Sequence, residues 1–111
     1  MNDIEQANIV NTPLPAGSDG DDFRRAITNS WLPALERHRP NLILVSAGFD
    51  AHQLDPLAAL KLQEEDFKWI TREIVGLANQ YSEGRVVSTL EGGYDLDALA
   101  RSAHAHITAL M

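Results

Sequence analysis

The chain has 111 residues, 44% of them hydrophobic, with a net charge of −7 and no cysteine. That length suits one domain with its own core and is too short for two. The missing thiols exclude disulfides, thiolate zinc and a cysteine nucleophile and fit a cytoplasmic protein, while the acidic balance argues against a nucleic-acid partner.

Residues 1–8, MNDIEQAN, are polar and expected to be disordered. They carry neither the basic nor the apolar region of a secretory signal, and no apolar run approaches the ~18 residues of a membrane span. Ile9 to Thr12 reads as a short strand ended by Pro13 and Pro15. A loop of small residues follows, and Ser18 or Asp19 can cap the next helix, with Asp21 and Asp22 at its positive end. The recurrence of Phe23, Ile27, Trp31 and Leu35 predicts that helix over about 21–38. Pro33 lies inside the pattern and predicts a kink or break near Asn29-Ser30.

Leu42 to Ser46 is a short apolar run with a turn signal behind it, the pattern of a strand buried on both faces. Residues 47–63 show little periodicity, and long loops inside compact domains are commonly functional. Glu64 to Gln80 is the clearest helix, with Phe67, Ile70, Ile74 and Leu77 on one face and three acids in its first turn. Arg85 to Leu90 is β-branched and predicts a second strand. A last helix from residue 95 or 96 should turn Leu96, Leu99, Ala103, Ile107 and Leu110 inward. The order predicts an α/β fold, a three-layer α/β/α arrangement on a mainly parallel sheet.

Both strands end in glycine-containing loops with polar residues, Gly48 to His52 and Glu91 to Tyr94. Parallel neighbours would bring both loops to one edge of the sheet, where open α/β sheets bind ligands. Asp50 and His52 lie two apart, so in an extended segment both face one way. A carboxylate and an imidazole make a fragment of a metal site and not a whole one, since catalytic zinc takes three protein ligands. Each is also an ordinary turn or cap residue. Gly92-Gly93 permits close approach of backbone to a ligand, with the Tyr94 hydroxyl within reach of a substrate; equally, the pair can be a plain strand-to-helix turn with Tyr94 as packing. Asp55-Pro56 reads as a turn or helix start. His104 and His106 fall on different sides of a helix and cannot chelate together, and His38 suits a helix C-terminus. No phosphate-binding glycine motif or nucleophile elbow is present.

Two blocks carry a resemblance to a known family. LILVSAGFDAHQLDPLA (residues 42–58) and STLEGGYDLDALARS (88–102) closely resemble segments of the zinc-dependent histone deacetylase and acetylpolyamine amidohydrolase superfamily, in the form of its class II and bacterial members. NIVNTPLPAGSDGDDF (8–23) resembles the segment before a helix in the same proteins. The resemblance implies an arginase/deacetylase-like fold and the C-terminal portion of a catalytic domain spanning 1–111. It implies Zn²⁺ as cofactor and acetylated lysine or polyamine amines as substrates. Asp50 matches the carboxylate zinc ligand. Tyr94 matches the catalytic tyrosine that donates to the carbonyl oxygen as it becomes an oxyanion, and Gly92 and Gly93 match glycines lining the substrate tunnel. His52 falls at a position that is not a ligand in the family, which weighs against pairing it with Asp50.

In the family mechanism zinc polarises the amide and activates a water, with a histidine as base. The family's Asp-x-His ligand motif and its tandem histidines have no match in these 111 residues. The chain alone is therefore expected to be inactive, with one ligand of three. Two further readings stand beside this one. The first is a non-catalytic module that self-associates or binds protein, with homo-oligomerisation covering open sheet edges. The second is a small flavodoxin-like domain, which fits the element order but has no motif.

Overall fold

The computed structural model describes residues 9–55 and 59–111. The expected disorder of residues 1–8 lies outside these, as do Pro56 to Ala58. Helix α1 (Gly20–Asn29) begins at Asp19, which caps it in a reciprocal box: Asp22 N donates to Asp19 Oδ1 at 3.0 Å, and Asp19 N donates to Asp22 Oδ2 at 3.1 Å. Helix α2 (Trp31–His38) follows after a break at Ser30. The break falls where Pro33 predicts it. The proline sits in the first turn of α2, where its missing N–H leaves no intrahelical bond unmade, and the Ser30 hydroxyl donates back to Ala26 O at 2.7 Å.

Strand β1 (Ile43–Ala47), helix α3 (Glu64–Tyr81), strand β2 (Val86–Leu90) and helix α4 (Leu96–Leu110) complete the order. The strands pair in parallel, Ile43 opposite Val86 and Ala47 opposite Leu90, so α3 is the crossover that parallel pairing requires. Residues 9–12 make no strand. They pair with no strand, and Thr12 instead shares a 2.8 Å hydrogen bond with Ser30.

The α/β class and parallel pairing hold, and within the described residues the helices cover one face of the sheet. Ile43, Ile74, Leu77 and Ala78 form one core cluster, flanked by Leu32, Leu35 and Ile70; Ala47, Phe49, Leu62 and Phe67 form a second, flanked by Leu99 and Ala103. On the opposite face Leu44 is 71% and Val87 56% exposed, side by side in register. Helix α1 is tied to α3 by Arg24, whose Nε donates to the buried Asp66 at 3.1 Å and whose guanidinium lies over Trp69.

Helix α4 corrects one expectation. Leu96 and Ile107 are exposed, and the buried line is Ala98, Ser102 and His106, one residue per turn. The small side chains of Ala98 and Ser102 let α4 lie close to α3, and the larger apolar residues fall to the flanks. His106 closes the seam. Its Nδ1 is 2.7 Å from Thr71 Oγ1 on α3 and its Nε2 is 2.8 Å from Ser88 Oγ on β2. The Thr71 hydroxyl spends its proton on Phe67 O at 2.7 Å, so it can only accept from His106 Nδ1–H. Nε2 is then the bare nitrogen and accepts from Ser88. One neutral imidazole thus joins two helices and a strand.

Burial holds the His106 pKa below the ordinary histidine value. Above pH ~6.5 the ring is neutral folded and unfolded, and titration contributes nothing. Below it, the unfolded chain binds a proton that the folded chain resists, so stability falls as the pH is lowered. Urea unfolding at pH 7.5 and 5.5 should show that loss in the natural chain and a smaller loss in His106→Gln; equal losses would remove His106 as its source.

Candidate active site

The parallel ladder does not stop at the strand ends. Glu91 N donates to Ala47 O at 2.9 Å and Phe49 N donates to Gly92 O at 2.8 Å. The loops after β1 and β2 therefore leave the sheet side by side, at the carboxyl edge where such folds bind ligands. Asp50 and Gly92 meet there. A Cβ built on Gly92 would lie 3.5 Å from Asp50 Cγ and Oδ2, and one on Gly48 would lie 3.1 Å from Asp50 Oδ1. The carboxylate is half-buried against two glycine backbones. Gly93 has φ +142°, and a Cβ there would come within 2.9 Å of Leu99 Cδ1. This glycine turns the chain from β2 toward α4, which Asp95 caps by accepting from Ala98 N at 2.9 Å. Tyr94 lies between them with its side chain 57% exposed.

His52 does not join Asp50. The segment after Phe49 is not extended: His52 N donates to Phe49 O and Asp55 N to His52 O, two turns in succession. The His52 ring is buried and stacked 6.5 Å from the Phe67 ring. Its Nδ1 accepts from Leu54 N at 3.1 Å, so the proton is on Nε2, which faces Glu64 Oε1 at 3.4 Å. That distance and alignment make a loose polar contact and not a hydrogen bond. The Arg101 guanidinium on the same carboxylate is the main cause holding the Glu64 carboxyl below its usual range. His104 is exposed, and His38 is exposed in the last turn of α2.

Among the described residues, no three His, Asp or Glu side chains come together as a group that could hold a metal ion. Asp50 offers one carboxylate, whereas catalytic zinc takes three protein ligands, so these residues by themselves do not fit a complete zinc site.

Asp55, which reads from sequence as a turn or helix start, has a distant partner. It is 8% exposed, and its Oδ2 accepts from Tyr94 N at 2.7 Å. An acceptor 39 residues from its donor leaves no local pattern. The glycines differ in what they tolerate. Gly93→Ala forces a side chain onto positive φ and should cost about 1–3 kcal/mol in urea unfolding. Gly92→Ala meets only ordinary contacts and should cost less than about 1 kcal/mol. Equal costs would show that the Gly93 turn is not formed.

The comparisons agree with this architecture. The histone deacetylase domain model matches residues 1–110. Type-2 histone deacetylase 1 of Dictyostelium discoideum is 44% identical over 105 residues, covering 95% of this chain and 7% of that protein. The histone deacetylase-like amidohydrolase of Pseudomonas aeruginosa is 42% identical over 85 residues, 77% of this chain and 22% of that protein. The structure of the histone deacetylase Clr3 superposes with a TM-score of 0.86 at 31% identity, over 94% of this chain and 17% of that one. This chain thus spans a small part of the proteins it matches. Parallel strands with glycine-rich loops at one edge, and a domain match over nearly every residue, place it in one family: the chain belongs to the histone deacetylase domain family.

Proposed function

We propose that this chain is the C-terminal portion of a zinc-dependent deacetylase-like amidohydrolase acting on acetylated lysine or polyamine amines. The observation that carries the reading is the meeting of the Asp50 carboxylate with Gly92, two residues before Tyr94, at the carboxyl edge of a parallel sheet. In this reading Asp50 supplies one of three zinc ligands, and the other two lie outside these 111 residues. The Tyr94 hydroxyl donates to the amide carbonyl oxygen as negative charge develops on it. Its exposed side chain is free to meet a substrate. Gly92 and Gly93 present backbone without side chains, leaving room for an extended acyl-amine beside the tyrosine. An oxyanion donor acts in the transition state more than in the ground state, so its loss appears in kcat.

The 111 residues alone should keep little zinc after dialysis and hydrolyse an acetyl-lysine amide no faster than background. Stoichiometric zinc, with turnover that disappears in Asp50→Ala, would show a self-sufficient site and overturn the one-ligand reading. In a complete domain carrying this sequence, Tyr94→Phe should lower kcat by about 10²–10³, and Asp50→Ala should lose the metal.

A second reading is favoured by the exposed sheet face. Leu44 and Val87 lie together on it, with Leu42 exposed at its entry. An apolar sheet face with open edges is a surface that proteins cover. We propose that the isolated chain covers it by self-association. Light scattering at micromolar concentration should give a mass above 12.2 kDa; a clean monomer would remove this reading and leave the first one standing.

A further inference from the structure

Tyr94 poses a positioning problem. Its side chain is 57% exposed, so packing around the ring does not fix where the hydroxyl goes. What is fixed is the backbone from which it projects. On one side Gly92 O accepts from Phe49 N at 2.8 Å. On the other, Tyr94 N donates to Asp55 Oδ2 at 2.7 Å. Between them lies Gly93 at φ +142°, a conformation that other residues rarely hold and that gives this segment little rigidity of its own. Both anchors come from the loop that also carries Asp50.

We propose that Asp55 is a positioning residue for Tyr94, locking the tyrosine's backbone to the Asp50 loop so that carboxylate and phenol keep one spacing. Three observations carry this beyond a surface contact. Asp55 is buried, so its carboxyl group has been taken out of water and the Tyr94 N–H replaces a hydrogen bond that water would make. Its own backbone is held, since Asp55 N donates to His52 O at 2.9 Å. His52 in turn is fixed by the Phe67 stack, by Leu54 N on Nδ1, and by Leu62 N donating to Ala51 O beside it. A rigid chain of contacts therefore runs from the core at Phe67 through His52 and Asp55 to the Tyr94 amide. Buried His52, which the proposed chemistry does not use, finds its role here as the support under Asp55.

The inference rests on the reading of Tyr94 as the donor to the substrate carbonyl, and the test separates the two. It uses the complete protein carrying this chain, with Asp55→Ala, Asp55→Asn, Tyr94→Phe and the Asp55→Ala/Tyr94→Phe double variant. Kinetics on an acetyl-lysine amide are paired with amide hydrogen exchange. In Asp55→Ala the Tyr94 amide should exchange at least about tenfold faster. The Leu99 amide, which donates to Asp95 O in the first turn of α4, should keep its protection. kcat should fall by roughly 10–10²-fold with KM unchanged, the usual effect of a small misplacement. Asp55→Asn retains an acceptor oxygen at the same reach and should recover most of both losses. The double variant should be no slower than Tyr94→Phe alone, because the two residues act through one hydroxyl.

Unchanged Tyr94 exchange in Asp55→Ala, or a double variant slowed by the product of the single effects, overturns the positioning role. Should Asp55→Ala fail to fold, Asp55→Glu takes its place with the same readings, since one added methylene displaces the acceptor. A Tyr94→Phe variant of full activity, with exchange still accelerated in Asp55→Ala, overturns the catalytic reading and keeps the anchor as a structural fact.

Discussion

Everything at the proposed site depends on a parallel ladder that outlasts its strands. Here Glu91 N to Ala47 O and Phe49 N to Gly92 O continue the pairing two residues past the sheet. Those two bonds make neighbours of segments that lie more than forty residues apart in the chain. The Asp50 carboxylate lies where they meet, tight against Gly48 and in ordinary contact with Gly92. Loss of that pairing would leave the Tyr94 N–H bond to Asp55 to hold the two loops together.

The ladder is itself braced from one side. Helix α3 crosses over between the strands, and α4 closes against it along the buried line Ala98, Ser102 and His106. The imidazole ties that seam to β2 through Ser88, at the middle of the strand whose end carries the glycines. A buried polar bridge of this kind holds one arrangement only while every member is satisfied. The other face, with Leu44 and Val87, has no cover among the described residues. One face of the sheet thus packs against a core, and the other presents Leu44 and Val87 to solvent among the described residues.

Much of this was legible in the sequence, for physical reasons. The strands announced themselves as short apolar or β-branched runs, and α3 by its spacing of Phe67, Ile70, Ile74 and Leu77. Pro33 located the break at Ser30. Placement of both glycine-bearing loops at one edge followed from parallel pairing alone. The misses share a cause. The inward face of α4 was read from its largest apolar residues, whereas close packing selected small ones, leaving Leu96 and Ile107 outside. Residues 9–12 have strand-like side chains but no paired strand among the described residues. An extended backbone would put His52 beside Asp50, a pairing the family resemblance already weighs against, and two tight turns send it to Phe67 and Glu64 instead. His106 and Asp55 act through partners on distant elements, and no local pattern reports such a bond. Spacing left Asp50 and Tyr94 as ordinary turn and packing residues as readily as functional ones; their assignment came from the resemblance of whole blocks.

The central claim is that the ladder continues into both loops and so joins Asp50 to the Gly92–Tyr94 segment. The most direct measurement is the scalar coupling transmitted through the hydrogen bond between the Phe49 amide nitrogen and the Gly92 carbonyl carbon, by NMR on isotopically labelled protein. A resolved coupling, with the Phe49 amide protected from exchange, is the predicted result. No coupling, with a Phe49 amide exchanging at the rate of an unstructured peptide, would mean that the loops part where the strands end, and the site described above would not exist.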